Sequence, residues 1–172
     1  MNIIETNRLI LREFIIDDAD FVFELLNSPS WLKYIGDRNV KNLDDAKKYI
    51  SDKLISSYIN NGFGLYEIIL KKDNIPIGMC GLIKRDTLEN IDLGFALSSA
   101  FTGNGYAFEA ASATLNYAKT VLMLDHIIAI TTTENKNSIK LLEKLNFVFE
   151  KMVRLSNEEN ELMLFSNRLF TI

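Results

Sequence analysis

The most informative segment of this chain of 172 residues is Asp92 to Ala110, DLGFALSSAFTGNGYAFEA. Ile91 to Leu97 predicts a strand, the glycines at 103 and 105 predict a tight turn, and the alanine-rich segment from about Asn104 to Leu122 predicts a helix. A strand that enters a helix through a Gly-x-Gly turn is typical of an anion site, because free backbone N–H groups and the positive end of the helix dipole meet there. A tight turn without a ligand gives the same pattern, so the turn alone leaves both interpretations open.

A second passage from strand to helix follows it. His126 to Thr132 predicts a strand and Asn137 to Leu145 predicts a helix. Asn135 is placed to cap this helix, a role that needs no ligand, yet Asn135 and Ser138 also present polar groups beside the first helix terminus. Two adjacent strands that feed helices from the same end of a sheet form a cleft.

The flanking segments complete a mixed order of strands and helices. Alternation predicts a first strand over Asn7 to Phe14, and Asp17 is predicted to cap a helix that Ser28-Pro29 stops. The other segments with strand or helix periodicity are a helix from Asp44 to Asn60 closed by Gly62, strands at Leu65 to Lys71 and Ile75 to Lys84, and strands near Phe147 to Arg154 and Glu161 to Leu169. The residues from Ser156 to Asn160 predict a polar loop. This order predicts an α+β, or mixed α/β, single domain over residues 1–172.

Composition excludes several classes of function. The 19 Lys and Arg against 23 Asp and Glu give a net charge of −4, which provides no basic field for nucleic acid and mildly favours a cationic partner. Cys80 is the only cysteine and His126 the only histidine, so we expect no metal site, and we interpret both as structural residues. Charges at Arg8, Arg12 and Glu13 interrupt any signal peptide, and no apolar run reaches the length of a membrane span, so we expect a cytoplasmic protein.

Four segments in order resemble one family, the GNAT N-acetyltransferases, and within it the branch of the ribosomal-protein alanine N-acetyltransferases. The segments are similar to the family's opening strand, fourth strand, acetyl-CoA pyrophosphate loop and following helix, and they are Thr6 to Arg12, Ile91 to Phe95, Gly103 to Ala110, and Asn135 with Ser138 through Phe147. Together they are more specific than any one motif. The resemblance implies a central mixed sheet flanked by helices and covers nearly the whole chain.

The resemblance also implies acetyl-CoA as cosubstrate and assigns parts of it to positions. Backbone amides of the turn would hold the pyrophosphate, and they belong to Thr102, Gly103, Asn104, Gly105, Tyr106 and Ala107. Phe95, Ala96 and Leu97 would pair with the pantetheine, and their amides would form an oxyanion hole. Asn135 would hydrogen-bond the pantetheine arm, and Ser138 would protonate or stabilise the leaving thiolate.

Three positions depart from the family pattern. Ala100 stands where the family often has glutamine or arginine, and Asn104 where a basic residue is common, so phosphate affinity would rest more on backbone amides. Asn146 replaces the usual glycine before Phe147, which is compatible with a helix cap because asparagine tolerates the left-handed conformation.

The reaction implied is attack of a neutral primary amine, so a base or a water chain must remove a proton first. Asp92 is the first candidate base, with Glu89 and Glu109 behind it, and a structural or substrate-orienting role for Asp92 stays open. Ser138 could instead be a helix-start cap or a small residue that simply packs. Tyr106 could also donate a proton to the thiolate, or it could be an aromatic residue that covers the helix start. Trp31 and Tyr34, in a predicted loop, are candidates for an acceptor pocket or for the core.

The sequence is compatible with three functions. The first is an acetyl-CoA-dependent N-acetyltransferase that acts on a protein N-terminus or a small-molecule amine. The second is a non-catalytic acyl-CoA sensor on the same fold, against which Asn135 and Ser138 argue. The third is an ATP-binding protein, disfavoured because no phosphate-binding lysine follows the glycines. Either a monomer or a homodimer is compatible with the sequence, since an exposed edge strand could pair two copies.

Overall fold

The computed structural model describes residues 1–155 and 161–169, and these form an eight-stranded sheet with helices on both faces. The strands are β1 Asn2–Glu5, β2 Leu9–Arg12, β3 Leu65–Leu70, β4 Ile75–Ile83, β5 Ile91–Leu97, β6 His126–Thr131, β7 Val148–Val153 and β8 Leu162–Arg168. The helices are α1 Ala19–Leu26, α2 Pro29–Tyr34, α3 Leu43–Tyr49, α4 Ser56–Asn61, α5 Tyr106–Thr120 and α6 Lys136–Lys144. A π-helical segment, Ile50–Ile55, joins α3 to α4.

The sheet is mixed, in the order β1-β2-β3-β4-β5-β6-β8-β7. Its neighbouring strands are antiparallel except β5 and β6, which run parallel and pair at Ile91 with Ile127 and at Asp92 with Ile128. The mixed α/β architecture predicted from the sequence is confirmed. The single parallel pair among these strands places the carboxyl ends of β5 and β6 at the same edge of the sheet.

Side chains alternate between two cores, one on each face of the sheet. Leu11 and Ile68 pack with α5 and α6 on one face. Phe14 and Met79 pack with α1, α3 and the π-helical segment on the other. Helices cover both faces of β3 and β4, so nearly every position of these two strands is buried and apolar. Glu67 is the charged exception within β3.

The N-terminal region differs from the sequence prediction. The sequence predicts the first strand over Asn7 to Phe14, but β2 is only Leu9–Arg12, and a separate strand, β1, precedes it. The two strands form a hairpin closed by the hydrogen bond from the Thr6 N–H to the Leu9 carbonyl, 2.9 Å long. β1 is a short edge strand whose one buried residue, Ile4, gives too little alternation to be recognised in the sequence.

The expected Asp17 cap and the expected loop after the first helix are both wrong. The residue that precedes α1 is Asp18 rather than Asp17. The Asp18 carboxylate accepts a hydrogen bond from the Ile15 N–H at 2.8 Å and does not cap α1. Pro29 does not only stop the first helix, because it also starts α2, with the Ser28 hydroxyl accepting the Trp31 N–H. Trp31 is 4% exposed, so it belongs to the core.

The remaining predicted segments are confirmed to within a few residues. The Asp44 to Asn60 helix corresponds to α3, the π-helical segment and α4, and Gly62 ends it with a φ of 76°. Asn146 has a φ of 63°, as expected for asparagine in place of glycine. The predicted loop from Ser156 to Asn160 lies outside the described residues. Within residues 1–155 and 161–169, every helix is too short or too polar to span a membrane.

Candidate active site

The central feature of the site is the divergence of β5 from β6. After Asp92 the two strands no longer pair, although β5 stays bonded to β4 as far as Leu97 and β6 stays bonded to β8 as far as Thr131. An antiparallel neighbour uses only alternate N–H and C=O groups of a strand, so the other groups of residues 93–97 face the gap. Phe95, Ala96 and Leu97 lie on this unpaired stretch.

At the open end of the gap, β5 leads into α5 through a short 3₁₀ turn, Ser99–Phe101, and the glycine turn. Gly103 and Gly105 have φ angles of 78° and 80°, a left-handed backbone that other residues rarely adopt. Gly105 is the N-cap of α5 and offers no side chain to the first N–H groups of the helix. These groups have no intrahelical partner, so the helix start can receive an anion.

A hydrogen-bonded network from the β1–β2 hairpin lies against this helix start. The Glu109 carboxylate in α5 accepts the Thr6 hydroxyl at 2.7 Å, the Arg8 N–H at 2.9 Å and the Arg8 Nε at 2.6 Å. Arg8 Nη1 also donates to the Asn104 carbonyl at 3.1 Å, and the guanidinium carbon lies 4.5 Å from the centre of the Tyr106 ring. Partial burial opposes ionisation of Glu109, but the hydrogen bonds from Thr6 and Arg8 outweigh it and lower its pKa.

Polar groups gather on the other side of the gap, where β6 leads into α6. Asn135 is the N-cap of α6, and its Oδ1 accepts the Ser138 N–H at 3.1 Å. This leaves the Asn135 amide nitrogen and the half-buried Ser138 hydroxyl available for other partners. The Thr132 hydroxyl oxygen is buried and has no hydrogen-bond partner among the described residues, so it is a polar group that the sequence did not single out.

Asp92 lies at the closed end of the gap, at the last position where β5 and β6 pair. Its residue surface is 2% exposed, and its carboxylate accepts the Arg85 Nε at 2.7 Å. Burial raises the pKa of Asp92 to about 6, and Arg85 limits the rise. Ala96 lies four positions after Asp92 along β5, which is roughly 13 Å at the rise of an extended strand. The carboxylate can therefore hold a proton near neutral pH, at the end of the cleft opposite the glycine turn.

Comparison with known sequences decides the family. The sequence model of the family described as "Acetyltransferase (GNAT) domain" matches residues 8–148 of this chain. The chain belongs to the GNAT acetyltransferases. The N-acetyltransferase p20 of Bacillus licheniformis is 31% identical over 159 residues, which cover 90% of this chain and 86% of that protein. This member of the GNAT family is therefore an N-acetyltransferase, and its reaction uses a CoA thioester and an acceptor.

Solved structures share the fold of this GNAT chain. An acetyltransferase from Agrobacterium tumefaciens has a TM-score of 0.81 at 22% identity, and the match covers 95% of this chain and 92% of that one. RimL, a ribosomal L7/L12 alpha-N-protein acetyltransferase in complex with coenzyme A, also has a TM-score of 0.81, at 15% identity and 95% coverage of each chain. At these identities the likeness establishes the fold.

The other candidates from the sequence lie outside the gap of this GNAT fold or are already engaged. Glu89 is exposed on the loop between β4 and β5, and Glu109 is bound by Thr6 and Arg8, so neither is a free base in the cleft. Cys80 is fully buried, with its sulfur 3.5 Å from the Thr114 hydroxyl. Burial raises the pKa of this thiol to about 12, so the thiol is uncharged at neutral pH, as expected for a core residue.

Sequence reasoning missed the role of Arg8 at the helix start. Arg8 and Glu109 are 101 positions apart, so no local spacing connects them. The signal that was available is indirect: the turn from Ser98 to Ala107 contains no lysine or arginine, so any cation beside it comes from elsewhere in the fold.

Proposed function

We propose that this protein is an acetyl-CoA-dependent N-acetyltransferase that transfers the acetyl group to a primary amine by direct attack on the thioester. The observation that carries the proposal is the unpaired edge of β5, which ends at a glycine turn and an uncapped helix start. A strand edge suits an amide-containing arm, and a helix start suits a phosphate, so the two features fit the two parts of acetyl-CoA in the order in which they are joined.

Each part of the cosubstrate has named groups to bind it. The pyrophosphate is held by backbone amides of the turn and of the first turn of α5, which are those of Thr102, Gly103, Asn104, Gly105, Tyr106 and Ala107. The pantetheine extends along Phe95, Ala96 and Leu97 and fills the gap between β5 and β6. The Asn135 amide nitrogen donates to the arm from the opposite side, since the Asn135 oxygen already caps α6.

The reaction is a transfer through a tetrahedral intermediate. The amine nitrogen forms a bond to the acetyl carbon, and an amide N–H of β5 stabilises the oxyanion. The intermediate collapses with cleavage of the carbon–sulfur bond. Ser138 donates a proton to the departing thiolate and regains one from water, so the hydroxyl is restored at the end of the turnover. Asp92 accepts the proton that the amine loses, through water that bridges the length of strand between them. A pKa of about 6 keeps Asp92 ionised above neutrality and still basic enough to accept a proton.

The acceptor is a primary amine of one of two kinds, a protein N-terminus or a small molecule. Thiol release from acetyl-CoA, measured with N-terminal peptides, polyamines, amino acids and aminoglycosides, tests the activity and the acceptor class together. Turnover with one class supports the proposal and identifies that class. Tight binding of acetyl-CoA without turnover by any of these amines would contradict the proposal and indicate an acyl-CoA sensor.

A further inference from the structure

The proposed pyrophosphate site has an unusual balance of charge. The turn and helix start from Ser98 to Phe108 contain no lysine or arginine, and Ala100 and Asn104 are both neutral. Glu109 adds a negative charge in the first turn of α5, where it opposes an incoming anion. Backbone amides alone would have to hold a dianion next to a carboxylate.

Arg8 supplies the positive charge that the turn and helix start do not themselves contain. Its side chain reaches the turn from the β1–β2 hairpin, where Glu109, the Asn104 carbonyl and the Tyr106 ring all contact the guanidinium. The Nη2 atom lies 3.5 Å from the position that a Cβ on Gly105 would occupy, so it stands directly beside the N-cap of α5. The Arg8 side chain is still 42% exposed, which leaves the outer edge of the guanidinium open to solvent and to a ligand.

The contacts also fix the orientation of Arg8. Nε is used by Glu109 and one hydrogen of Nη1 by Asn104, whereas no hydrogen bond from Nη2 is seen within the described residues. An arginine held in this way binds an anion with less loss of side-chain entropy than a free one, because its fork is already in place.

We propose that Arg8 donates from Nη2 to the pyrophosphate of the CoA thioester, and that Glu109 and Thr6 are positioning residues that hold the guanidinium at the start of α5. This inference rests on the proposed function, since it concerns the same cosubstrate. It explains why neutral residues suffice at positions 100 and 104: the positive charge comes from the first hairpin rather than from the loop itself.

A competing role for Arg8 is to neutralise Glu109 and nothing more, and a double substitution separates the two. If Arg8 only offsets the carboxylate, then Arg8→Ala weakens acetyl-CoA binding and the added change Glu109→Gln restores it. If Arg8 contacts the pyrophosphate, the double variant binds as weakly as Arg8→Ala, whereas Glu109→Gln alone changes the affinity by less than Arg8→Ala does.

The experiment measures the dissociation constants of acetyl-CoA and acetyl-dephospho-CoA, and kcat/KM for acetyl-pantetheine, for the three variants and the parent. We expect Arg8→Ala to weaken both CoA thioesters by about 10- to 100-fold, the usual range for one hydrogen bond to a charged group. Acetyl-pantetheine, which has no pyrophosphate, should react with the parent efficiency. Lys41→Ala, which removes a lysine paired with Asp37, is the control for net charge and should change none of these values.

The outcomes separate this inference from the proposed function. Parent-like binding by Arg8→Ala, restoration in the double variant, an equal loss with acetyl-pantetheine or a loss only with the 3′-phosphorylated thioester would each overturn the role of Arg8. Failure of the parent protein itself to bind acetyl-CoA would overturn the proposed function. Circular dichroism and thermal unfolding of each variant establish that the fold is retained.

Discussion

Asp92 and Ile128 are the last residues at which β5 and β6 pair, and beyond them the strands separate. The Asp92 carboxylate is therefore fixed at the closed end of the cleft, between the Arg85 guanidinium and the body of the sheet. Two consequences for activity follow from that position.

The first prediction concerns the pH dependence of the reaction. Because burial raises the pKa of Asp92 to about 6, kcat/KM should increase with pH as this carboxyl ionises. Asp92→Asn removes the proposed base, so we expect kcat to fall about 100-fold or more and the limb near pH 6 to disappear. A pH profile of kcat/KM that keeps this limb in Asp92→Asn would exclude Asp92 as the base.

Arg85 offers a matched test of the same carboxyl. Arg85 holds the pKa of Asp92 lower than burial alone would set it. In Arg85→Gln the limb should therefore move to higher pH, while the activity on its plateau falls far less than in Asp92→Asn. A limb that moves to lower pH would show that another group titrates there.

A second prediction uses two glycines with the same backbone. Gly103 and Gly62 have φ angles of 78° and 76°, and neither would place a Cβ within 4 Å of another protein atom. Alanine at either position should cost about 1 kcal/mol or more of unfolding free energy, since the left-handed conformation is strained for it. Only Gly103→Ala should also raise KM for acetyl-CoA, by about tenfold. If both variants had the same KM for acetyl-CoA, the glycine turn would not be part of the binding site.

A third prediction distinguishes the two residues at the start of α6. Ser138→Ala keeps the backbone N–H that Asn135 binds, so its stability should match that of the parent while kcat falls about tenfold. Asn135→Ala loses the cap and about 1 kcal/mol of unfolding free energy. Turnover by Ser138→Ala at the parent rate across the pH range would show that Ser138 is not the acid.

A fourth prediction concerns Glu67, whose carboxylate is buried on β3 and forms an ion pair with Arg12. Arg12 is also bound by both oxygens of Asp18, at 2.9 and 2.7 Å. Burial, with a smaller effect of Asp18, raises the pKa of Glu67 to about 7. The folded protein therefore holds this proton more tightly than the unfolded chain, and the associated stability is lost as pH rises from about 4.5 to 7.

Glu67→Gln should remove that part of the pH dependence. Urea unfolding at pH 5 and pH 8 should show a smaller decline in the variant than in the parent, by on the order of 1 to 3 kcal/mol. Asp92 contributes a decline of the same sign in both proteins and cancels from the comparison. An identical decline in the two proteins would mean that Glu67 is already ionised at pH 5.

The sequence predicts the centre of this molecule better than its edges. The segment from Ile91 to Thr120 carries strong local signals, an apolar strand, two glycines and an alanine-rich helix, and each agrees with the fold around it. β1 and α2 were missed because their signals are weak or conflicting: β1 buries one residue, and Pro29 marks the start of a helix as readily as the end of one.

The site could be predicted only as far as its parts are local. The glycine turn and the Asn135 cap follow from short spacings, and the structure has both. The contact of Arg8 with Glu109 joins residues about a hundred positions apart, and it exists because β1 and β2 lie against α5. Likewise the raised pKa of Asp92 results from burial in the assembled sheet, which no local pattern reveals.

The narrow junction of β5 and β6 has a consequence for the lifetime of the protein. In the part of the chain that the structure describes, two residue pairs of the sheet join strands β1 to β5 to strands β6 to β8. A CoA thioester bound in the gap as proposed would bond to both halves, and it would stabilise the folded chain in proportion to the logarithm of its concentration above its dissociation constant. The supply of CoA thioester would then set the resistance of the protein to heat and proteolysis as well as its rate of turnover.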